Sequence, residues 1–188
     1  MLRFGLLLCL LLPASAAVAQ TSRYAIEPEN SSVGFETDFG PDKITGRMPV
    51  TQADLSLDFG NVTRSTVAVT LDVSRAQASF PFAAQAMKGP KVLDARTFPS
   101  ITFASTSVQG GGETARIEGD LTIRGVTRPV ALDATLYRQQ GFALGDNSHL
   151  TIRLTGRVLR SDYGATGWAD LVGDEVRLDI LARIAEVE

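Results

Sequence analysis

Cysteine is almost missing from this chain: Cys9 is the only one, and it sits in an apolar leader. Without it there is no disulfide, no thiol nucleophile and no cysteine metal site. Histidine is as scarce. His149 stands alone beside Asp146-Asn147-Ser148, in what reads as a loop entering a strand. A nucleophilic triad needs a serine, a histidine and an orienting carboxylate held together, and no Gly-x-Ser-x-Gly elbow marks one. One histidine among scattered carboxylates supplies no transition-metal ligand set. Asp54 and Asp174-Glu175 fall at turn or solvent-facing positions, so no acid–base pair stands out. Gly110-Gly111-Gly112 opens no helix and reads as a hairpin tip, not a phosphate loop. The expectation is therefore no catalytic residue, no metal and no cofactor.

Excess charge of one sign is also lacking. There are 18 basic and 21 acidic residues, for a net charge of −3. Without a basic patch interleaved with aromatics, nucleic acid is excluded as a partner, and electrostatic docking on anionic lipid is argued against equally. Past the leader no apolar run approaches the roughly 20 residues needed to span a bilayer, so no stable membrane insertion is expected.

What is present begins with an export signal over residues 1–19. Arg3 is the positive n-region, Phe4 to Leu12 the apolar core, and Ala17-Val18-Ala19 the small-residue cleavage site. Leu8 precedes Cys9 where lipoprotein processing wants a small residue, so acylation there is disfavoured. The mature domain, residues 20–188, suits one core of ordinary size. Its dominant pattern is alternation. Val67, Val69, Leu71 and Val73 alternate with polar or small neighbours, as do Val130, Leu132, Ala134 and Leu136. Leu150, Ile152 and Leu154 do the same, and so do Val176, Leu178 and Ile180. Such period-two segments read as about eight or nine strands, each with one dry face. Turns such as Phe59-Gly60-Asn61 favour antiparallel neighbours. The dry faces must meet across a sandwich or close on themselves as a barrel, and composition leaves both open.

The segment Phe80-Pro81-Phe82-Ala83-Ala84-Gln85-Ala86-Met87 breaks the pattern. Pro81 suits a first helical turn, Gly89-Pro90 ends it, and Phe80, Ala83, Ala84 and Met87 share one face. A second short helical turn is expected over Val92 to Arg96. An insertion of this kind is placed to close one mouth of a barrel. Phe35, Phe80, Phe82, Met87, Phe98 and Phe103, with Ile101, Leu121 and Ile123, are the candidates for lining an interior pocket. A filled core satisfies the same residues, because core positions are apolar either way. Arg160, Tyr163 and Trp168, in the longest irregular stretch of the second half, are candidates for meeting a polar headgroup. The alternative is a turn in which Arg160 and Asp162 pair with each other or with backbone.

Three motifs carry a resemblance. Gly119-Asp120-Leu121-Thr122-Ile123-Arg124-Gly125-Val126-Thr127-Arg128-Pro129-Val130 is a strand, a tight turn and a second strand; it resembles the most recognisable segment of the YceI-like family. Phe98-Pro99-Ser100-Ile101-Thr102-Phe103-Ala104-Ser105-Thr106 resembles the family's aromatic-Pro-x-Ile-x-Phe-x-Ser-Thr block. Arg160-Ser161-Asp162-Tyr163-Gly164 and Val172-Gly173-Asp174-Glu175-Val176 resemble its closing pair. The resemblance implies an all-β fold: an antiparallel, eight-stranded, lipocalin-like barrel in the periplasm, with the helical insertion over one end. It implies a non-enzymatic protein that binds or transports an isoprenoid-type or other long-chain lipid, a quinone being one such amphiphile. Where many relatives carry a histidine before a serine this chain has Asn30, so no ligand contact is carried over there. Two alternatives stay open: a packed barrel docking a membrane redox partner, and a lipid-modifying enzyme. A homodimer is likewise left open.

Overall fold

The computed structural model describes residues 21–187 apart from 140 and 144, so the expected export signal and its cleavage site lie outside the described residues. The alternating segments form eleven strands and the broken segment forms a helix. In chain order these are β1 (Ser22–Ile26), β2 (Ser32–Phe39), β3 (Asp42–Met48), β4 (Val50–Leu57), β5 (Thr66–Asp72), β6 (Gln77–Ala78), α1 (Pro81–Lys88), β7 (Ser100–Gly111), β8 (Thr114–Ile123), β9 (Val126–Arg138), β10 (His149–Leu159) and β11 (Val172–Val187). Every pairing is antiparallel. Eight strands close a ring in the order β1-β4-β5-β7-β8-β9-β10-β11, with β11 returning to β1.

The ring closes because β11 is long enough to serve two partners. Its last residues pair with β1, from Ile184 opposite Ile26 to Val187 opposite Arg23. Its first part pairs with β2, from Val172 opposite Phe39 to Leu181 opposite Ser32. Between β1 and β2 the chain makes a 3-10 turn at Pro28–Asn30. The gap is stitched by Glu27 N–H donating to the Arg183 carbonyl and Arg183 N–H donating to Ser31 Oγ. Similarly, β3 and β4 run on from one another across Pro49, which has no N–H for a ladder. The β2–β3 hairpin thus leans beyond the ring and takes β6 on its far edge. One end of the barrel is flared and the other is narrow.

Side-chain facing follows the alternation. Leu121 and Leu132 are buried, while Glu118 and Asp133 on the same strands, and Arg153 on β10, are exposed. Ile123, Ile152 and Leu178 also face inward but are only half-buried, because they border open volume. Arg177, which alternation along β11 places on the outer face, is half-buried there: Glu36, Asp38 and Glu175 enclose its guanidinium.

The narrow end is filled. Tyr24, Leu55, Leu57, Leu150 and Ile184 form a buried cluster, with Phe59 and Leu136 packed against it. The Tyr24 ring meets Phe59 edge-on at 5.9 Å. Its hydroxyl donates to the Asn147 carbonyl at 3.0 Å. Burial, with Glu186 and Asp146 nearby, pushes the Tyr24 phenol up to about 12, so it stays a neutral donor. At the flared end, α1 lies across the opening. Pro81 supplies its first turn and Gly89 its cap, as the sequence leads one to expect. Residues Val92 to Arg96 form turns, not a second helix. They tie back to α1 through Leu93 N–H donating to the Met87 carbonyl and Ala95 N–H to that of Lys88. Arg124, at the β8–β9 turn, fixes the same loop by donating to the carbonyls of Pro90 and Val92.

Candidate ligand-binding site

Between the plug and the helix the barrel is hollow. A cavity of about 580 Å³ runs through its upper part. Its walls are inward residues of the ring, among them Leu71, Ile101, Phe103, Leu121, Ile123, Leu132, Ile152 and Leu178, together with Phe35 of β2. Its roof is Phe82, Ala83, Ala86 and Met87 from α1 and Phe80 just before it, with Trp168 and Leu171 from the loop before β11. A filled core, and with it the packed-barrel alternative, does not describe this interior.

Two of the polar side chains at the cavity wall are committed to the scaffold. Thr37 Oγ1 is within hydrogen-bond distance of the carbonyls of Gly173 and Glu175, at 3.1 and 2.9 Å. Arg160 is buried, and its guanidinium donates to four carbonyls: Gly173, Ala165, Gly167 and Val172. It gathers the loop after β10 around itself, with four of its five N–H donors committed to backbone carbonyls; of the two sequence readings, the structure shows the pairing with backbone. Asp162 is not its partner. Gly164, in the left-handed region at φ 71°, caps the short 3-10 turn that presents Arg160. Tyr163 is buried in the wall. Its phenol is raised chiefly by burial and by Asp162, with Arg128 opposing. Arg128 and Asp162 belong to a separate outer cleft of about 180 Å³, which Tyr163 divides from the main cavity.

The rim is apolar and open to water. Phe82 is 68% exposed, Leu171 56% and Trp168 47%, although each also lines the cavity. Phe82 packs on Trp168 with ring centroids 6.2 Å apart, and Phe80 on Phe39 at 6.1 Å. Lys91 Nζ stands 5.7 Å above the Trp168 ring, a cation–π contact at the water's edge. Trp168 holds a left-handed backbone at φ 62°, which a bulky residue rarely adopts, and its carbonyl accepts from Leu171 and Val172 N–H.

Eleven of the twelve residues singled out on sequence therefore border the cavity; Phe98 does not. It precedes β7 and the alternation does not govern it. Its N–H donates to the Asp94 carbonyl, and its ring packs against Gly125, 3.1 Å from where a Cβ would sit. Of the helix face expected from the sequence, Phe80, Ala83 and Met87 line the cavity and Ala84 does not; Ala86 does so in addition. Sequence reasoning missed Phe39, Ile44, Met48 and Leu171. Ile44 and Met48 did carry a signal, since they alternate with Thr45 and Arg47. Asn30 lies in the 3-10 turn, donating to Glu27, away from the cavity. His149 stacks on Phe142 at 4.7 Å. Ser148 lies between its Nδ1 and the carboxylate of Asp146, so the histidine is not the middle member a triad requires.

This architecture is found in known proteins. BcnA of Burkholderia cenocepacia superposes with a TM-score of 0.76 at 21% identity, over 85% of this chain and 99% of its own. A domain from Saccharophagus degradans superposes with a TM-score of 0.65 at 11% identity, over 88% and 99%. In sequence, the YceI protein of Salmonella arizonae is 27% identical over 172 residues, spanning 91% of this chain and 90% of the relative. The YceI-like domain pattern itself matches residues 24–184, which is nearly all of the barrel from β1 to β11, and the chain belongs to that family.

Proposed function

We propose that this protein binds an isoprenoid-type or fatty-chain amphiphile, with the chain inside the barrel and the head at the rim. It acts after export to the periplasm, as a holder or carrier and without chemistry on its cargo; a quinone is one candidate. The observation that carries this reading is the apolar cavity itself, sealed at the Tyr24 end and open under α1. Each methylene moved from water into such a space contributes ~0.8 kcal/mol. A long chain therefore gains enough to offset association costs of roughly 4–15 kcal/mol without any polar contact. The head has reason to stay outside, because the Thr37 hydroxyl and the Arg160 guanidinium are already engaged and an unpaired polar group at depth costs several kcal/mol, ~2–7 by transfer scales. The likeness in fold to the Saccharophagus degradans protein, described as a polyisoprenoid-binding domain, supports the same chemistry here.

The test is to purify the protein from its native periplasm without detergent and to identify extracted lipid by mass spectrometry. One chain-length amphiphile per barrel is expected. A native preparation that carries no lipid, and that takes up none when offered farnesol, geranylgeraniol and palmitate, overturns the reading.

A further inference from the structure

We propose that glycines on the inner face of the barrel set the bore of the cavity, by giving large side chains a recess in the wall. Gly46, Gly119 and Gly156 all occupy inward positions. Gly46 sits directly opposite Phe35 across β2–β3, and Gly156 directly opposite Leu132 across β9–β10. Gly119 lies two residues from inward Leu121 on β8, beside Phe103 of β7.

At each position the missing Cβ is where the neighbour now lies. A Cβ on Gly119 would fall 2.5 Å from Cε2 and Cζ of Phe103, and one on Gly156 would fall 2.6 Å from Cδ2 of Leu132. A Cβ on Gly46 would run into the Phe35 ring. So both phenyl rings and the leucine lie back against the barrel wall and not across the lumen. Eight-stranded barrels are just wide enough to be filled by side chains or to hold one small ligand. Which of the two occurs is decided here by where three large side chains rest. The inference rests on the binding reading above and adds what determines the size of chain the site accepts.

The three positions are not equally usable as probes. A Cβ on Gly119 also meets the Ala104 carbonyl at 2.5 Å, and one on Gly46 meets that of Gln77, so substitution there strains backbone. On Gly156 the close neighbour is the tip of a flexible leucine, with the Ala131 carbonyl next at 3.1 Å. Gly156→Ala is therefore the clean variant, and L132A in the same background returns the space.

The experiment measures displacement of bound cis-parinaric acid by farnesol and by geranylgeraniol, for wild type, G156A and G156A/L132A. It is paired with a crystal structure of G156A. The expected result is a Leu132 side chain turned into the cavity and about tenfold weaker binding of geranylgeraniol, a smaller loss for farnesol, and recovery in the double variant. Thermal midpoints establish that all three proteins fold. A folded G156A that binds the series as wild type does, or that keeps Leu132 in place with the cavity unchanged, overturns the inference while leaving the binding reading intact. A wild type that takes up no probe overturns the binding reading, and the inference falls with it.

Discussion

Arg160 carries a charge into the wall of an apolar cavity and uses it on the protein's own backbone. Guanidinium geometry suits this, because its planar fork can meet several carbonyls at once while lysine offers a compact point charge. Replacing Arg160 with alanine strands carbonyls of Gly173, Ala165, Gly167 and Val172. A buried group left unsatisfied costs about 1–3 kcal/mol. Urea unfolding of R160A is therefore expected to show a loss of at least about 3 kcal/mol, with R160K recovering only part. If Arg160 gripped a headgroup instead, R160A would keep its stability and lose selectivity among chains that differ only in their heads. A second residue-scale expectation concerns acid. Asp58 accepts from the N–H groups of Gly60 and Asn61 and from Arg64; the Asn61 bond first, and the arginine with it, hold the carboxyl below its usual range. Asp72, bonded to Ser74 and Arg75, is lowered to about 2. Both groups bind protons more readily unfolded than folded. Their contribution is complete above the unfolded carboxylate value of about 3.9 and is lost as pH falls toward 2. Thermal midpoints measured from pH 7 down to 2.5 should decline along that limb, and more shallowly in D58N, whose midpoint at pH 7 is already lower. At this scale the sequence was legible where alternation ruled, as at Phe103 or Leu121. It left two readings open at Arg160 and was opaque at Phe98, because the surroundings of both are set by backbone folded back from elsewhere. The inner glycines were opaque for a related reason: an absent side chain has meaning only once its cross-strand neighbour is known.

Among the elements, β11 and α1 have opposite standing. β11 is bonded along its length to β10 and, on its other side, to β2 and then β1. By contrast, α1 has one fully buried residue, Ala83, and no side-chain N-cap. A helix of eight residues is marginal by itself and depends on what it covers. Hydrogen exchange should therefore be faster in α1 than in β8, β9 or β11. If chain uptake and release require α1 to open, adding geranylgeraniol at a hundredfold above its Kd should slow exchange in α1 by up to about a hundredfold. Equal protection of α1 with and without the chain would show that cargo passes another way. The helix was legible in advance from Pro81 and Gly89, which punctuate it chemically. The division of β1 from β2, and of β3 from β4, was not, because it depends on β11 reaching past the ring and on Pro49 falling where the barrel flares. Nor was the character of residues 92–96, whose hydrogen bonds return to α1 and do not continue a helix of their own.

At the scale of the whole molecule, the first expectation concerns the proposed export. The intact mass of protein recovered from the periplasm should begin at Gln20, cut after Ala17-Val18-Ala19. A mass retaining Met1 to Ala19, or a lipid adduct on Cys9, would contradict this. Barrel closure needed more than alternation, since a sandwich would satisfy the same pattern; it was the ordered run of family motifs that singled out the closed form. The Tyr24 plug has a consequence that reaches beyond stability. On the binding reading proposed above, a tube with a blind end takes its cargo tail first and leaves the cargo's own head on display. Whatever meets the loaded protein then reads a chemical group that the polypeptide does not encode, framed by Phe82, Trp168 and Lys91. Filled and empty forms would differ to an onlooker by that group alone, and the lipid itself would be the signal that the vessel is full.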